Sequence, residues 1–502
     1  MFNLAVFFAL LVVGLVRFFI NRSKLQQLAK NLAGPKPAFL VGNLLQFPKD
    51  IGGILRRMVH YHEEFGADVV TWGIGNTLKF NISSTQNVEK VLMAKTVQKS
   101  LSYSFIEPWL GKGLLTSSGR KWFQRRKTIT PTFHFKILEG FVEVFNRNAD
   151  TLIDKLKVHD GGAEFDIYSY VSLYALDSIC ETAMGVQVRA QDDPENEYVR
   201  DVNRMTELIL LRIFCFLGMF PTLYWYLHPN AWEQRRLVQR LHKFTDAVIW
   251  KRREQLMNGH QEGEVENCTE SKKKQTFLDL LLCMTIDGQP LSNEDIREEV
   301  DTFMFGGHDT TSSAISFTIM QLALHQDIQD KLYMEFMSIL KGSNSKTTNL
   351  TYNDIQEFKY LDLIVKESLR LLPPISYVGR KLTEDTELNG ATIPAGQDIF
   401  IPIYMVHRNP KVYPDPERFI PERFADNGDQ NRRGPYDYIP FSIGSRNCIG
   451  QKYGMLQLKM TVVRLIANYR VLPSETTGSV KLRTDLVLRP ECGIPIKIVA
   501  RD

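Results

Sequence analysis

The sequence lacks the ligand clusters of most metal sites. Its six cysteines, Cys180, Cys215, Cys268, Cys283, Cys448 and Cys492, are scattered, with no C-x-x-C pair. That spacing indicates neither a zinc site nor a disulfide framework, and reduced thiols fit a body facing the cytosol. No G-x-x-x-x-G-K-[ST] phosphate loop occurs, which leaves P-loop nucleotide chemistry without its cradle. A formal net charge of +4 over 502 residues is too mild for a nucleic-acid partner. No internal repeat is visible, and no linker after residue 43 reads as a domain boundary. With 44% hydrophobic and 24% charged residues, the composition is that of a globular protein.

One long apolar run is present at the start. Residues 2–20, FNLAVFFALLVVGLVRFFI, carry only Asn3 and Arg17 as polar side chains, and about 20 apolar residues suffice for a membrane-spanning helix. The flank holds Arg22, Lys24 and Lys30, so the positive-inside rule puts the body in the cytosol. A cleaved signal peptide would need a charged start and a small-residue cleavage site, and both are missing. The expected organisation is an anchor over 1–20, a basic, proline-rich hinge over 21–43, and one large, mainly helical domain over 44–502. Within it, residues 68–84 alternate as two short strands, and ELNGATIPAG (387–396) reads as a hairpin. The polar stretch 260–275 reads as a surface loop. Residues 208–227 allow two readings: a core helix plus loop, or a helix–loop–helix dipping into the membrane surface.

Cys448 stands alone in FSIGSRNCIG, residues 441–450. Zinc would require three more protein ligands. Haem iron requires only one thiolate, because the porphyrin supplies the rest. Gly444 and Gly450 let the backbone lie close to a flat ring. The helical pattern after residue 450 puts a helix N-terminus beside the thiolate. Arg446 can pair with a propionate. The plainer alternative is a buried, inert cysteine.

With Phe441, Gly444, Arg446, Cys448 and Gly450 in F-x-x-G-x-R-x-C-x-G, the stretch resembles the haem-binding signature of the cytochromes P450. Three more motifs agree. Glu367 and Arg370 in ESLR resemble the family's E-x-x-R, with Arg423 of PERF as the implied third member. GGHDTT, residues 306–311, resembles the oxygen-activation motif of the distal helix, where Asp309 and Thr310 would relay protons. Trp122 and Arg126 resemble the W-x-x-x-R pair that reaches a propionate, and Arg380 matches a further propionate position. Each has a bland reading as well: solvated charge pairs for ESLR, a packed Ser/Thr-rich helix for GGHDTT, and a merely solvated basic face around Lys121, Arg125 and Lys127. The functional reading of those three cations is an outward face that docks an acidic electron donor.

The stretches EEVDTFMFGGHDTTSSAI and PTFHFKILEGF resemble family 4, especially its arthropod members. The resemblance implies a mainly α cytochrome P450 fold with small β-sheet regions. It implies haem b (heme b, iron protoporphyrin IX) ligated by Cys448, and insertion of one oxygen atom from O2 into a C–H bond of a small apolar, lipid-derived substrate. It also implies NADPH–cytochrome P450 reductase as donor, with cytochrome b5 beside it, at the endoplasmic reticulum membrane. Most members of family 4 carry a glutamate where this chain has Gly306, so noncovalent haem is expected here. The rivals are a haem-thiolate isomerase or dehydratase, which needs no distal threonine, and a non-catalytic haem- or lipid-binding membrane protein.

Overall fold

The computed structural model describes residues 2–501 except 31, 49, 75–76, 95–97, 260–275, 287, 341–348 and 426–432. The stretch read as a polar loop, 260–275, therefore lies outside the described residues. Helix α1 (Phe2–Ala29) is followed by α2 (Ile51–Phe65), strands β1 (Asp68–Trp72), β2 (Leu78–Ile82) and β3 (Gln98–Lys99), and α3 (Gly119–Ile129). Helices α4 (Ile167–Thr182), α5 (Glu197–Ile213), α6 (Pro229–Gly259), α7 (Asn293–Leu324) and α8 (Lys359–Leu371) build the body. Strands β4 (Tyr377–Lys381) and β5 (Asp398–Pro402), helix α9 (Gln451–Asn468), and strands β6 (Leu482–Thr484) and β7 (Leu488–Pro490) complete the parts that matter for the site.

The mainly helical expectation holds. Helix α7 runs through the centre of the larger core, where Val300, Met304, Ile315, Phe317 and Ile319 are buried. It is buried on nearly every face after its first turns, and the hydroxyls of Thr311, Ser312 and Thr318 bond back to carbonyls of the preceding turn. Ser292 caps it, its hydroxyl accepting from the Asp295 N–H at 3.1 Å. A second, smaller core lies on a five-stranded sheet ordered β1-β2-β5-β4-β3. β1 and β2 pair antiparallel, as the alternation at 68–84 predicts. The predicted hairpin is also present: Thr386–Leu388 pairs antiparallel with Ala391–Ile393, around Asn389 and Gly390, both at positive φ.

Among the described residues no helix is long and apolar enough to cross a membrane. The apolar run forms the first part of α1, which continues without a break past residue 20 into the polar stretch to Ala29. Parts of the segment 21–43 pack on the body. Arg22 is buried, its guanidinium over the Phe39 and Trp72 rings at 5.1 and 5.4 Å. The Val70 N–H donates to the Ala33 carbonyl at 2.8 Å, and the Trp72 N–H donates to Asn43 Oδ1 at 2.7 Å. These bonds dock the proline-rich segment on β1.

Residues 208–227 form the end of α5, a short turn, and a helix over Pro221–Leu227. Arg212 is buried against Phe105, Tyr224 and Trp225 rather than interrupting a span. Phe216, Phe220, Leu223, Tyr226 and Leu227 remain exposed. Among the described residues Cys180, Cys215, Cys448 and Cys492 are free.

Candidate functional site

A cavity of about 540 Å³ lies between α7 and the loop before α9, and its wall includes Gly306, Thr310, Phe441, Arg446 and Cys448. The loop is fixed by backbone geometry. Ser442 and Gly444 sit at positive φ, and a Cβ on Gly444 would lie 2.6 Å from the Leu92 carbonyl oxygen. Gly444 is therefore required by a left-handed turn packed on the smaller core, a reason the sequence does not reveal. The Cys448 N–H donates to the Phe441 carbonyl at 2.9 Å. This bond closes the loop and turns the thiol toward the cavity, onto which Cys448 opens. Gly450 is the N-cap of α9. Burial pushes the Cys448 thiol up, opposed by the Gly450 N–H and by Arg126. The helix start thus supplies one donor, and burial outweighs the expected dipole stabilisation of a free thiolate.

Four cations converge on the same end of the cavity: Lys99, Arg126, Arg380 and Arg446. Burial, then Arg380 and Arg126, brings Arg446 down to about 10. Burial, then Arg380 and Arg446, pushes Lys99 well below its ordinary value. Arg446 stacks on Trp122 at 3.9 Å, and its Nη2 donates to Ser118 Oγ at 3.3 Å. Among the described residues its buried Nε and Nη1 have no hydrogen-bond partner, and neither does Arg380 Nε. Arg126 is engaged differently from expectation: it donates to the Asn447 carbonyl at 2.9 Å and to Asn447 Oδ1 at 2.6 Å, bracing the Cys448 loop. Lys99 was missed by sequence reading, because only its pairing with Arg380 across β3 and β4 brings it here. Buried like charges with unpartnered donors call for an anionic ligand. A flat macrocycle carrying two carboxylates and an open metal position for Cys448 fits this donor set.

On the opposite wall, Thr310 Oγ1 donates to the Gly306 carbonyl at 2.7 Å. The two central glycines have separate reasons. A Cβ on Gly306 would meet nothing within 4 Å, so this position opens on the cavity. A Cβ on Gly307 would lie 2.5 Å from Ile179 Cδ1, so this glycine lets α7 approach α4. Asp309 does not line the cavity. Its carboxylate oxygens take Arg489 Nε at 3.1 Å and Arg489 Nη2. Arg489 Nη1 donates to Thr206 Oγ1 at 3.1 Å, and the Thr206 hydroxyl donates to Asp485 Oδ2 at 3.0 Å. Burial raises the Asp309 carboxyl against the lowering pull of Arg489. The expected acid–hydroxyl pair is therefore not formed: Asp309 ties α7 to β7 and α5, while Thr310 alone faces the cavity. No local motif signals Arg489, which lies 180 residues away.

Behind the cysteine loop, Glu367 and Arg370 are fully buried and bidentate, at 2.7 and 2.8 Å. Arg423 Nε reaches Glu367 Oε1 at 3.3 Å, as the motif implied. Arg370 also donates to the carbonyls of His407, Pro416 and Arg418. The triad thereby clamps the long meander that leads to the loop.

The cationic docking face is corrected. Lys121 pairs with Asp295 and Glu298 at 3.1 and 2.7 Å. Arg125 is buried against Glu299 and Asp295 at 3.3 and 2.7 Å. The acidic first turns of α7 dock on α3 and consume both charges, and of the three only Lys127 is exposed.

A cavity-facing cysteine, a cluster of buried cations and a hydroxyl on the opposite wall thus surround one cavity in a mainly helical body. The chain belongs to the cytochrome P450 family, whose model matches residues 32–498. It is similar to human Cytochrome P450 4V2, at 40% identity over 92% of this chain and 88% of the human one. It is likewise similar to Cytochrome P450 4d1 of Drosophila melanogaster, at 39% identity over 99% of this chain and 98% of the fly one. Cytochrome P450 4c3 of the same fly is 36% identical over 98% of this chain and 93% of its own length. The protein is a cytochrome P450 monooxygenase with haem as its cofactor.

Proposed function

We propose that this enzyme hydroxylates fatty-acid or related lipid chains, drawing electrons from NADPH through a reductase. The observation that carries the reading is a largely apolar cavity with Thr310 and Cys448 on facing walls. The haem supplies oxygen activation when bound. Cys448 would ligate its iron, Arg380, Arg446 and Lys99 would hold its propionates, and Trp122 and Arg126 would keep Arg446 and the loop in place. Thr310 would hold and deliver a proton at its Oγ1. Asp309 enters as the residue that fixes α7 through Arg489, rather than as a direct neighbour of that hydroxyl. Thr310 also favours the monooxygenase over the electron-independent isomerase. The apolar side chains left exposed on α1 and over 216–227 fit a lipid surface, beside the substrate pool.

Thr310→Ala is expected to retain haem while product per NADPH falls about tenfold and peroxide release rises. The assay uses reductase, a fatty-acid panel and liposomes, and co-flotation of the protein checks the membrane reading. Unchanged product per NADPH would remove the proton role. No product from any lipid would remove the substrate class.

The haem is proposed to be noncovalent. Gly306 has no side chain, and among the described residues lining the cavity the single acid is Asp485, bonded to Thr206. Acid denaturation and solvent extraction should leave the polypeptide at its haem-free mass. Haem retained on the chain would contradict this. Because the space at Gly306 is open, Gly306→Glu should make part of the haem resistant to extraction after turnover.

A further inference from the structure

The cavity does not end at the cation cluster. It extends along the sheet, where the cavity-facing side of β1 and β2 carries Thr71, Lys79 and Asn81. The alternate residues Leu78, Phe80 and Ile82 point into the smaller core, as strand alternation requires. This polar strip is set against apolar side chains, Leu44, Phe47, Ile54 and Met58, on the same cavity. Asn81 Nδ2 lies 3.3 Å from Thr71 Oγ1 and 3.3 Å from the Val69 carbonyl, so the strip is internally ordered.

Lys79 is the exception within it. Among the described residues it forms no ion pair and no hydrogen bond through its ammonium. Its nearest described aromatic neighbour is Phe400, with the ring centroid 5.8 Å away. Asp398 stands opposite it in register on β5, but Lys381 stands opposite Asp398 on the other side. Both Asp398 oxygens already take the Leu101 N–H, at 3.2 Å each. The row Lys79–Asp398–Lys381 thus sets two cations against one acid, which acts on both of them, and leaves a net charge of one positive. A half-buried ammonium against an apolar cavity is costly without an anionic partner. It is also distinct from the propionate cluster: β5 lies between β2 and β4, which places Lys79 two strand spacings, about 10 Å, from Arg380.

We propose that Lys79, with Thr71 and Asn81 beside it, is the anchor for the carboxylate of a fatty acid whose apolar chain runs along the cavity toward Cys448. One net positive charge matches a monoanion. A phosphate dianion would face Asp398 with no second free cation. Holding the head at this end fixes which carbons reach the far end, so Lys79 sets the position oxidised as well as affinity.

The inference rests on the proposed fatty-acid reading, and the binding arm of its test is independent of turnover. Calorimetry on the haem-loaded protein compares dodecanoate with methyl dodecanoate, which has the same chain without the charge. Lys79→Met should weaken dodecanoate by about tenfold or more while the ester changes by less than about twofold. Lys79→Arg should keep the preference for the acid, and products of Lys79→Met should spread along the chain. An unchanged reduced, carbon monoxide-bound spectrum in each variant confirms that the site is intact. Equal losses for acid and ester, no loss for the acid, or failure of the wild type to prefer the acid would overturn the anchor. Lys79-dependent binding with no oxidation would leave the anchor standing and overturn only the proposed function.

Discussion

Glu367→Ala is expected to yield protein that accumulates poorly and holds little haem, though residue 367 lines no part of the cavity. The carboxylate is wholly buried and takes Arg370 through two bonds, Arg423 through one, and the Ile420 N–H at 2.9 Å. Deleting it strands two buried guanidiniums, a loss of about 3–5 kcal/mol. That is a large share of the ~5–15 kcal/mol that stabilises a typical domain. Arg370 would still reach the carbonyls of His407, Pro416 and Arg418, so the meander should loosen locally before the helical core does. Haem content per polypeptide and thermal unfolding of the purified variant check this. A variant with full haem occupancy and unchanged unfolding would show that the triad is decoration.

Cys448→Ala is expected to keep the helical fold and lose the thiolate-type haem spectrum altogether. The side chain projects into the cavity and not into a packed core, so truncation leaves little void to penalise stability. The loop should persist, because its closure uses the Cys448 N–H and the Phe441 carbonyl, both of which alanine retains. Arg126 should go on holding Asn447. Any haem still bound would be held by propionate contacts and apolar burial, without the iron–sulfur bond. Among the free cysteines, Cys180 is buried in the helical core and Cys215 and Cys492 do not line the cavity. None can substitute.

Where all partners lie within a few residues, the sequence was readable. The Cys448 loop, the ESLR pair and the Asn389–Gly390 hairpin are local, and their geometry agrees with their patterns. PERF was also legible, although the Glu367–Arg423 contact spans 56 residues, because the family resemblance supplied the pairing. Long-range partners were not legible. GGHDTT reads as an acid beside a hydroxyl, yet adjacent helical residues point in different directions. Asp309 is drawn to Arg489 at the far end of the chain. The basic face of α3 reads as exposed until the acids of α7 are packed on it. Gly306 and Gly307 look equivalent in sequence, and only Ile179 of α4 separates their roles. The packing of Leu25 and Leu28 on the smaller core, just past the N-terminal apolar run, is another long-range contact that hydropathy does not show.

The site requires a thiolate-ligated haem held by Cys448 in this cavity. The reduced, carbon monoxide-bound absorption spectrum of the wild-type protein, recorded beside that of Cys448→Ala, tests it most directly. The account predicts a thiolate-type Soret band in the wild type and none in the variant. A wild-type spectrum of the imidazole-ligated type, or a thiolate-type band that survives in Cys448→Ala, would contradict it.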